Sequence, residues 1–551
     1  MSEKRQVSIK NLTLSVRYFL LGLAVLSLFF CALFFILPYC RAILPSLQNP
    51  SSITINRKSL FKIVWFTLSE SLLSSLVALV VGFIAAYYVS HKRFFFRKFL
   101  LSLSSIPVCL PPLVVALGYI SSFGISGYYN DFLKYIFGLK ESPMTFLYSF
   151  GGLVMVQGFY NFPLVMTNVA DSWSTIDRNQ SESALLLGAS RIRIFFDITL
   201  RQLLPAIVSG CIPVFIYTFF SFMLVLLFGT TGGSTLEVAV YHAARSTLNF
   251  NNAAILALFE SLIALIILFF YNIVEESSSK QKEIRLSVEK SNLNHFKKSE
   301  IPFFVLFILI IVVFFIMPLF SVFFSSFTSR AGGKVSFTVS NWIKIFTSKT
   351  FYSSLCSTLT TAGCTCLIST LSAFCYALFL RKKDPYGKNL FFKLIPVFPM
   401  AVSSVVLGCG LTQLFPRGNF FFLVLCQSSM YWPFAFRTIY PVLIKIPGNV
   451  LEISVLLGEN RINSIFEVFI PYSKNGILSA LGFTFAMSCG DASLPLVLAI
   501  PGYQNLALYT YRLAGSYRFN QSSAAGIILA ILCMSFFALA QKNKGKNHGL
   551  S

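Results

Sequence analysis

Apolar runs about as long as a lipid bilayer is thick recur along the whole of this chain. It has 551 residues, of which 56% are hydrophobic and only 12% are charged, and Phe alone contributes 61. A soluble domain could not keep so much apolar surface away from water, whereas helices of about 20 residues bury it in a bilayer. Backbone amides in lipid need hydrogen bonds within their own segment, so these runs should be helical. The composition therefore predicts an all-α, multi-pass membrane protein.

Twelve such runs can be counted, and the basic residues between them indicate the orientation. The predicted spans are 18–40, 61–90, 101–123, 146–170, 206–229, 253–274, 301–325, 351–380, 394–415, 420–443, 476–500 and 523–541. With the N-terminus inside, most of the 44 Lys and Arg residues fall in the inner segments, as the positive-inside rule requires. Both termini are therefore expected in the cytoplasm. The net charge of +24 comes from residues that flank spans and contact anionic lipids, so nucleic-acid binding is not expected.

One segment between predicted spans occurs twice. The copies are ESALLLGASRIRIFFDITLRQLLPAIVSG from Glu182 and EISVLLGENRINSIFEVFIPYSKNGILSA from Glu452, and they align without a gap. The separation between Glu182 and Glu452, which we call the repeat offset, also relates Pro163 in NFPLVMTNV to Pro433 in YWPFAFRTI. A repeat with one constant offset indicates two homologous halves.

A polar segment at the middle of the chain divides it between these halves. Residues 275–300 have the composition of a cytoplasmic linker, which gives halves of about 1–280 and 296–551. Two parallel six-helix halves imply a pseudo-two-fold axis along the membrane normal, with a pathway between the halves.

The repeated segment itself predicts a helix, a turn and a second helix on the cytoplasmic side. Glu182 lies near the start of the first helix, where the helix dipole favours an acidic residue. Gly188 can adopt the left-handed conformation that ends a helix. The second helix has apolar residues at near-helical spacing, namely Ile192, Phe195, Phe196, Leu200 and Leu203. An amphipathic helix of this kind can dock into a groove on another protein.

The pattern E-x-A-x-x-x-G, followed by I-x-L and Pro, resembles the EAA loop of the permease subunits of bacterial ABC importers. The matching residues, about 182–205 and 452–475, are Glu182, Ala184, Gly188, Ala189, Ile198, Leu200, Pro205, Glu452, Gly458, Val468, Ile470 and Pro471. The first copy departs from the family pattern at Arg201, where the family has a Pro. The second departs at Ile453, Ser454 and Glu459.

This resemblance implies the type I importer permease fold in the bacterial inner membrane. It implies a separate cytoplasmic ATPase under the two loops, as a homodimer, and an extracytoplasmic substrate-binding protein on the other face. The sequence has no G-x-x-x-x-G-K-[ST] loop to hold ATP phosphates. The chain is therefore expected to bind no cofactor, to be no enzyme itself, and to use ATP through its partner.

The resemblance is closest to the permeases of ferric-iron and thiamine importers that fuse both halves in one chain. Two stretches carry it, TLEVAVYHAA with the following FNNAAILALFE, and YWPFAFRTIYPVLIKIP. The expected cargo is ferric iron, with thiamine or another small cation such as a polyamine as alternatives.

Three acidic residues within predicted spans are candidates for lining the pathway. They are Glu70, Glu260 and Asp491, and Asp491 lies between Gly490 and Pro495 where the helix could break. Ionisable groups are costly inside a bilayer and indicate function by default, although a role in helix packing stays open for each. The four His residues are scattered without metal-ligand spacing, so no metal site is predicted.

Two other classes of membrane protein fit the span count but not the motifs. A twelve-span secondary transporter of the major-facilitator type would carry G-x-x-x-D-R-x-G-R-R between spans two and three, where this chain reads SHKRFFFRKF. A membrane-embedded enzyme would need a catalytic motif such as HExxH, which is absent from the sequence.

Overall fold

Helices joined by short turns make up almost all of the structure. The computed structural model describes residues 21–48 except 23, 54–229, 233–285, 295–331, 334–384, 392, 395–446 and 465–545. Within this range, one two-stranded antiparallel sheet accompanies the helices. Glu452 and Gly458 of the second repeated segment lie outside the described residues, as do residues 1–20 and 286–294 of the predicted termini and linker.

The first half begins with a long helix that carries a single π-turn and ends with the helix that enters the linker. Its helices are α1 (Ala24–Gln48), α2 (Arg57–His91), α3 (Arg97–Ser102), α4 (Ile106–Cys109), α5 (Pro112–Phe123), α6 (Tyr128–Phe137), α7 (Phe150–Trp173), α8 (Arg178–Leu186), α9 (Arg191–Phe219), α10 (Met223–Phe228), α11 (Leu236–Tyr241) and α12 (Phe250–Arg285).

The second half repeats this order, with a β-hairpin after its first helix. Its elements are α13 (Lys298–Ser326), β1 (Thr328–Ala331), β2 (Lys334–Phe337), α14 (Ser340–Phe346), α15 (Lys349–Lys383), α16 (Ser404–Leu414), α17 (Phe420–Ile444), α18 (Ile470–Gly490), α19 (Ser493–Leu498), α20 (Leu506–Gly515) and α21 (Phe519–Gly545).

Seven of the described helices are long and apolar enough to cross a membrane, and the predicted count of twelve stays a prediction. These seven are α1, α2, α9, α12, α13, α15 and α21. The third and ninth predicted spans are broken, because prolines interrupt them before α5 and α16. Proline removes an amide donor and ends or kinks a helix. Helices α7, α17 and α18 are also long, but they are less apolar because they carry polar side chains that are buried inside the protein.

The predicted two-fold relation between the halves is visible in matching hydrogen bonds. The Leu236 amide donates to Oγ1 of Thr67 at 2.9 Å, and the Leu506 amide donates to Oγ1 of Thr358 at 2.7 Å. Leu236 and Leu506 are separated by the repeat offset. Each bond ties a short helix, α11 or α20, to the second long helix of the same half, α2 or α15. The repeat read from the sequence therefore corresponds to a repeat in three dimensions.

The first helix of each half packs against the opposite half. Helix α1 packs on α16, and helix α13 packs on α5. Gly410 and Gly118 occupy these crossings, where an added Cβ would lie 1.8 Å from the Pro38 carbonyl oxygen and 2.3 Å from that of Pro318. The halves are thus interlocked, so the pathway between them is enclosed by elements of both. The domain boundaries at 280 and 296 stay a prediction.

An ion pair and an aromatic cluster attach the start of α13 to the first half. Lys92 Nζ, which follows α2, pairs with Oε2 of Glu300, and the Phe304 ring contacts Tyr88 with ring centroids 4.9 Å apart. At the opposite end of α13, the Tyr128 hydroxyl of α6 hydrogen-bonds Oγ1 of Thr328 in β1 at 3.1 Å. Both ends of α13 are therefore held by the first half.

Candidate functional site

A cavity of about 290 Å³ lies between the two halves. Its walls come from the α4–α5 corner, α7, the end of α9 and α11 in the first half, and from the 395–401 turn, α17 and the α18–α19 corner in the second. This volume is at the lower end of the range of about 300–1,000 Å³ for small-molecule pockets. The cavity lies where the sequence predicts a pathway.

Asp491 lines this cavity at the break between α18 and α19. Its Oδ1 accepts hydrogen bonds from the amides of Ser493 and Leu494 at 2.8 and 3.3 Å, which caps α19. Its Oδ2 accepts from Gln427 Nε2 at 2.9 Å and from the Tyr431 hydroxyl at 3.1 Å. The helix break expected at Asp491 is confirmed. These four donors hold the carboxylate in one orientation and satisfy its hydrogen-bonding capacity.

The first half has a related arrangement without the charge. Gln157 corresponds to Gln427 and Ser221 to Asp491 at the repeat offset, and Gln157 Nε2 donates to Ser221 Oγ at 3.0 Å. Asn161 Nδ2 donates to the Gln157 carbonyl at 3.0 Å. Gln157 Oε1 and Asn161 Oδ1 are buried and accept no hydrogen bond from any described residue. The two walls of the cavity therefore differ in chemistry.

A further acidic residue, Glu237 of α11, lines the cavity on the first-half side and is missing from the sequence-based candidates. It lies within electrostatic range of Asp491 and of Glu260. The sequence signal is an acid inside the apolar stretch TLEVAVY. Because α11 lies outside the predicted spans, Glu237 does not meet the criterion of an ionisable residue within a span.

The other two predicted acids are buried away from the cavity wall. Glu260 is fully buried in α12, within electrostatic range of Glu237. Glu70 is fully buried in α2, where Ser71 and Ser74 donate hydrogen bonds to its carboxylate at 3.3 and 3.4 Å. The roles of Asp491, Glu260 and Glu70 in transport stay predictions.

Aromatic rings surround the polar groups of the cavity. Tyr160 and Tyr217 from the first half and Phe434 and Phe483 from the second all contribute to its walls. The Tyr160 hydroxyl donates to the carbonyls of Pro107 and Leu110 at 3.1 and 2.8 Å, which fixes the ring beside the proline corner. Aromatic faces attract cations, and more strongly where water is excluded.

The first repeated segment forms the predicted helix, turn and helix. Helix α8 ends at Leu186, and Gly188 has φ of +84°. The Gly188 amide donates to the Leu185 carbonyl and the Ala189 amide to the Ala184 carbonyl, both at 3.0 Å. These bonds form a Schellman motif, which needs the left-handed conformation that glycine adopts without strain. The conformation expected at Gly188 is confirmed.

This segment presents apolar side chains to the surroundings. Leu186 is 90% exposed and Leu187 is 88% exposed, and Glu182 is exposed on the same short helix. Ile198 and Leu200 are half-buried in the π-turn of α9, and Pro205 is half-buried further along. In the second copy, Val468 is buried, Ile470 is half-buried and Pro471 is exposed. Large apolar side chains left exposed together indicate an interaction surface.

The sequence matches the family of binding-protein-dependent transport system inner membrane components over residues 78–280 and 386–543. The chain belongs to this family. One matched segment falls in each half, as the internal repeat predicts.

Curated relatives of the permease span most of its length. It is 25% identical over 505 residues to the thiamine transport system permease protein of Haemophilus influenzae, which covers 86% of this chain and 87% of that protein. It is 22% identical over 499 residues to the thiamine permease of Escherichia coli, covering 89% and 90%. It is 23% identical over 477 residues to the ferric transport system permease protein of Actinobacillus pleuropneumoniae, covering 84% and 68%.

Family membership establishes the class of activity. The chain is a multi-pass inner-membrane permease, a transport component and not an enzyme. It works with an ATPase and a substrate-binding protein. The predicted all-α, two-half ABC permease fold and its importer function are confirmed.

Proposed function

We propose that this permease imports thiamine through the central cavity. Thiamine joins a permanently cationic thiazolium ring to an aminopyrimidine ring. The cavity places one fixed carboxylate, Asp491, among aromatic rings of both halves. A buried carboxylate and aromatic faces both stabilise an organic cation. This combination is the observation that supports thiamine, together with the thiamine permeases among the relatives.

Ferric iron, the cargo expected from the sequence, is the second candidate. A relative that covers 84% of this chain is a ferric transport system permease. Carboxylate and phenol oxygens of Asp491 and Tyr431 face the same cavity, and oxygen atoms are suitable contacts for a highly charged metal cation. A polyamine would be attracted by the same negative charge.

Coupling to ATP is proposed at the repeated segments. A homodimeric ATPase would place one subunit under α8 and the other under the segment that begins at Glu452. ATP binding would close the ATPase dimer, draw both segments together and open the cavity outward. Both chain termini would lie on the same cytoplasmic side, and ATP would bind only to the partner. The exposed apolar residues of α8 support this surface as the docking element.

The cargo is tested by uptake in cells. Deleting the permease should abolish high-affinity uptake of labelled thiamine, and the wild-type chain should restore it. Asp491→Asn should restore uptake only at about a tenth of the wild-type rate or below. Losing a charge in a buried hydrogen-bonded site removes about 1.5–3 kcal/mol of interaction free energy with the cargo. Glu141→Gln removes an exposed carboxylate outside the cavity and should behave as wild type.

Two results would contradict the proposed role of this permease in thiamine import. If deletion leaves thiamine uptake intact and abolishes uptake of ferric iron, the thiamine assignment is wrong and iron replaces it. If Asp491→Asn transports thiamine as fast as Glu141→Gln, the carboxylate does not contact the cargo.

A further inference from the structure

The first half carries a buried acidic pair that the second half lacks. Glu237 is 2% exposed and Glu260 is fully buried. At the repeat offset, the corresponding residues of the second half are Ala507 and Ala530. Conversely, Asp491 of the second half corresponds to a serine of the first. Each wall of the cavity therefore has its own acidic group, supplied by different elements and not by the internal repeat.

The acidic pair has few protein partners. The Ser403 hydroxyl lies next to both carboxyl groups, but within the described part of the chain no hydrogen bond of normal geometry reaches Oε1 or Oε2 of Glu260 or Oε2 of Glu237. Neither carboxyl group takes part in the ion pairs seen among the described residues, such as those of Glu300 and Asp197. A buried acceptor without a hydrogen bond destabilises the protein, because it has lost its contact with water. A ligand with donors would recover this free energy.

The unsatisfied atoms on the cavity wall share one chemical character. Oε2 of Glu237, Oε1 of Gln157 and Oδ1 of Asn161 are all buried acceptors, and all three residues line the cavity from the first half. Gln157 Nε2 and Asn161 Nδ2 each donate a hydrogen bond within the protein, whereas the oxygen of each amide accepts none among the described residues. This wall therefore suits a ligand group with N–H donors. On the wall formed by the second half, both carboxylate oxygens of Asp491 already accept hydrogen bonds from the protein. That wall therefore suits a cation that has no N–H.

We propose that Glu237, Gln157 and Asn161 form a second subsite of the cavity, which binds the amino-bearing end of the cargo, while Asp491 and the aromatic rings hold its cationic end. The inference rests on the proposed function, because thiamine has an amino group on one ring and a charge without N–H on the other. Glu260 lies within electrostatic range of Glu237 but does not line the cavity, so it is not part of the subsite.

The test compares thiamine with the analogue whose ring amino group is replaced by a carbonyl. Both are supplied as labelled compounds to cells with the wild-type chain or the Glu237→Gln variant. The wild type should prefer thiamine. Glu237→Gln keeps the side-chain shape but replaces one acceptor oxygen with an N–H₂ donor, so the preference should fall by about tenfold or reverse, as expected when one hydrogen bond from the amino group is lost.

A matched variant separates the cavity from burial in general. Glu70→Gln removes a carboxyl group that is as deeply buried, but Glu70 does not line the cavity. Its preference ratio should equal that of the wild type, whatever its absolute rate. ATP hydrolysis stimulated by the loaded binding protein, measured in proteoliposomes, reports whether each variant is assembled.

Each outcome decides a different claim. If Glu237→Gln keeps the wild-type preference, or if Glu70→Gln changes the ratio as much, the subsite is wrong although thiamine transport stands. If Glu237→Gln loses stimulated ATP hydrolysis as well, the residue is structural and the subsite is also wrong. If the wild type takes up no thiamine, the proposed function fails before any variant is compared.

Discussion

Two glycines at equivalent places determine how closely the first helix of each half, α1 or α13, approaches the opposite half. Gly410 contacts the backbone of α1 at Pro38, and Gly118 contacts the backbone of α13 at Pro318. Small residues at helix crossings in membranes let backbones pack directly against each other. The sequence shows these glycines within LGCG and ALGY, but it does not show what they contact.

Gly410→Ala should destabilise the permease. The new Cβ would lie 1.8 Å from a carbonyl oxygen, so α1 and α16 must separate, at about 1–3 kcal/mol as for other overpacked interiors. The thermal unfolding midpoint of the purified protein in detergent should fall. Gly363→Ala is the control, since Gly363 lies within α15 with no atom within 4 Å of an added Cβ, and alanine favours the helix. Equal midpoints for the two variants would contradict the close crossing.

At the scale of elements, the first repeated segment contains a turn whose backbone geometry determines the direction of its helices. The Schellman turn at Gly188 sets the angle between α8 and α9, so it also sets where the exposed Leu186 and Leu187 point. An added Cβ at Gly188 would meet no atom within 4 Å. The requirement for glycine is therefore the left-handed backbone and not space.

Gly188→Ala should weaken binding of the ATPase. Alanine in the left-handed region costs about 1–2 kcal/mol, which corresponds to roughly tenfold in affinity. Gly188→Asn is the matched variant, because asparagine tolerates this conformation better. Titration of the purified permease in nanodiscs with the ATPase measures both. If the Ala and Asn variants bind equally well, or equally poorly, the backbone conformation is not what matters.

At the scale of the whole molecule, the halves are interlocked because α1 and α13 each pack on the opposite half. The first helix of each half contributes contacts to the other half, and the Lys92–Glu300 ion pair adds to the attachment of α13. The linker between the halves is therefore not the main connection between them.

A chain divided between residues 285 and 295 should still assemble. Fragments 1–285 and 295–551, expressed together with a tag on the second, should co-purify from membranes. Removing residues 1–56, and with them α1, should reduce recovery of the first fragment severalfold, while α13 still holds part of it. If the divided fragments do not co-purify even with α1 present, the contacts of α1 and α13 with the opposite half are too weak to hold the halves together.

Part of the site could be predicted because it depends on short-range pattern. The helix break at Asp491 follows from a glycine and a proline nearby, and the turn at Gly188 follows from one glycine after a helical stretch. Glu237 could not be assigned in this way, because its neighbours in the sequence do not reveal that α11 lines the cavity.

The sequence by itself determined that the protein is helical, lies in a membrane, has two homologous halves and carries a repeated segment. These properties follow from apolar run length and from the constant repeat offset, which are local or periodic. Only the tertiary structure decided that α1 and α13 pack on the opposite halves, that Gln427 and Tyr431 bind Asp491, and that Glu237, Gln157 and Asn161 line the same cavity. Those contacts join residues at least 60 positions apart, and their geometry depends on how whole helices pack.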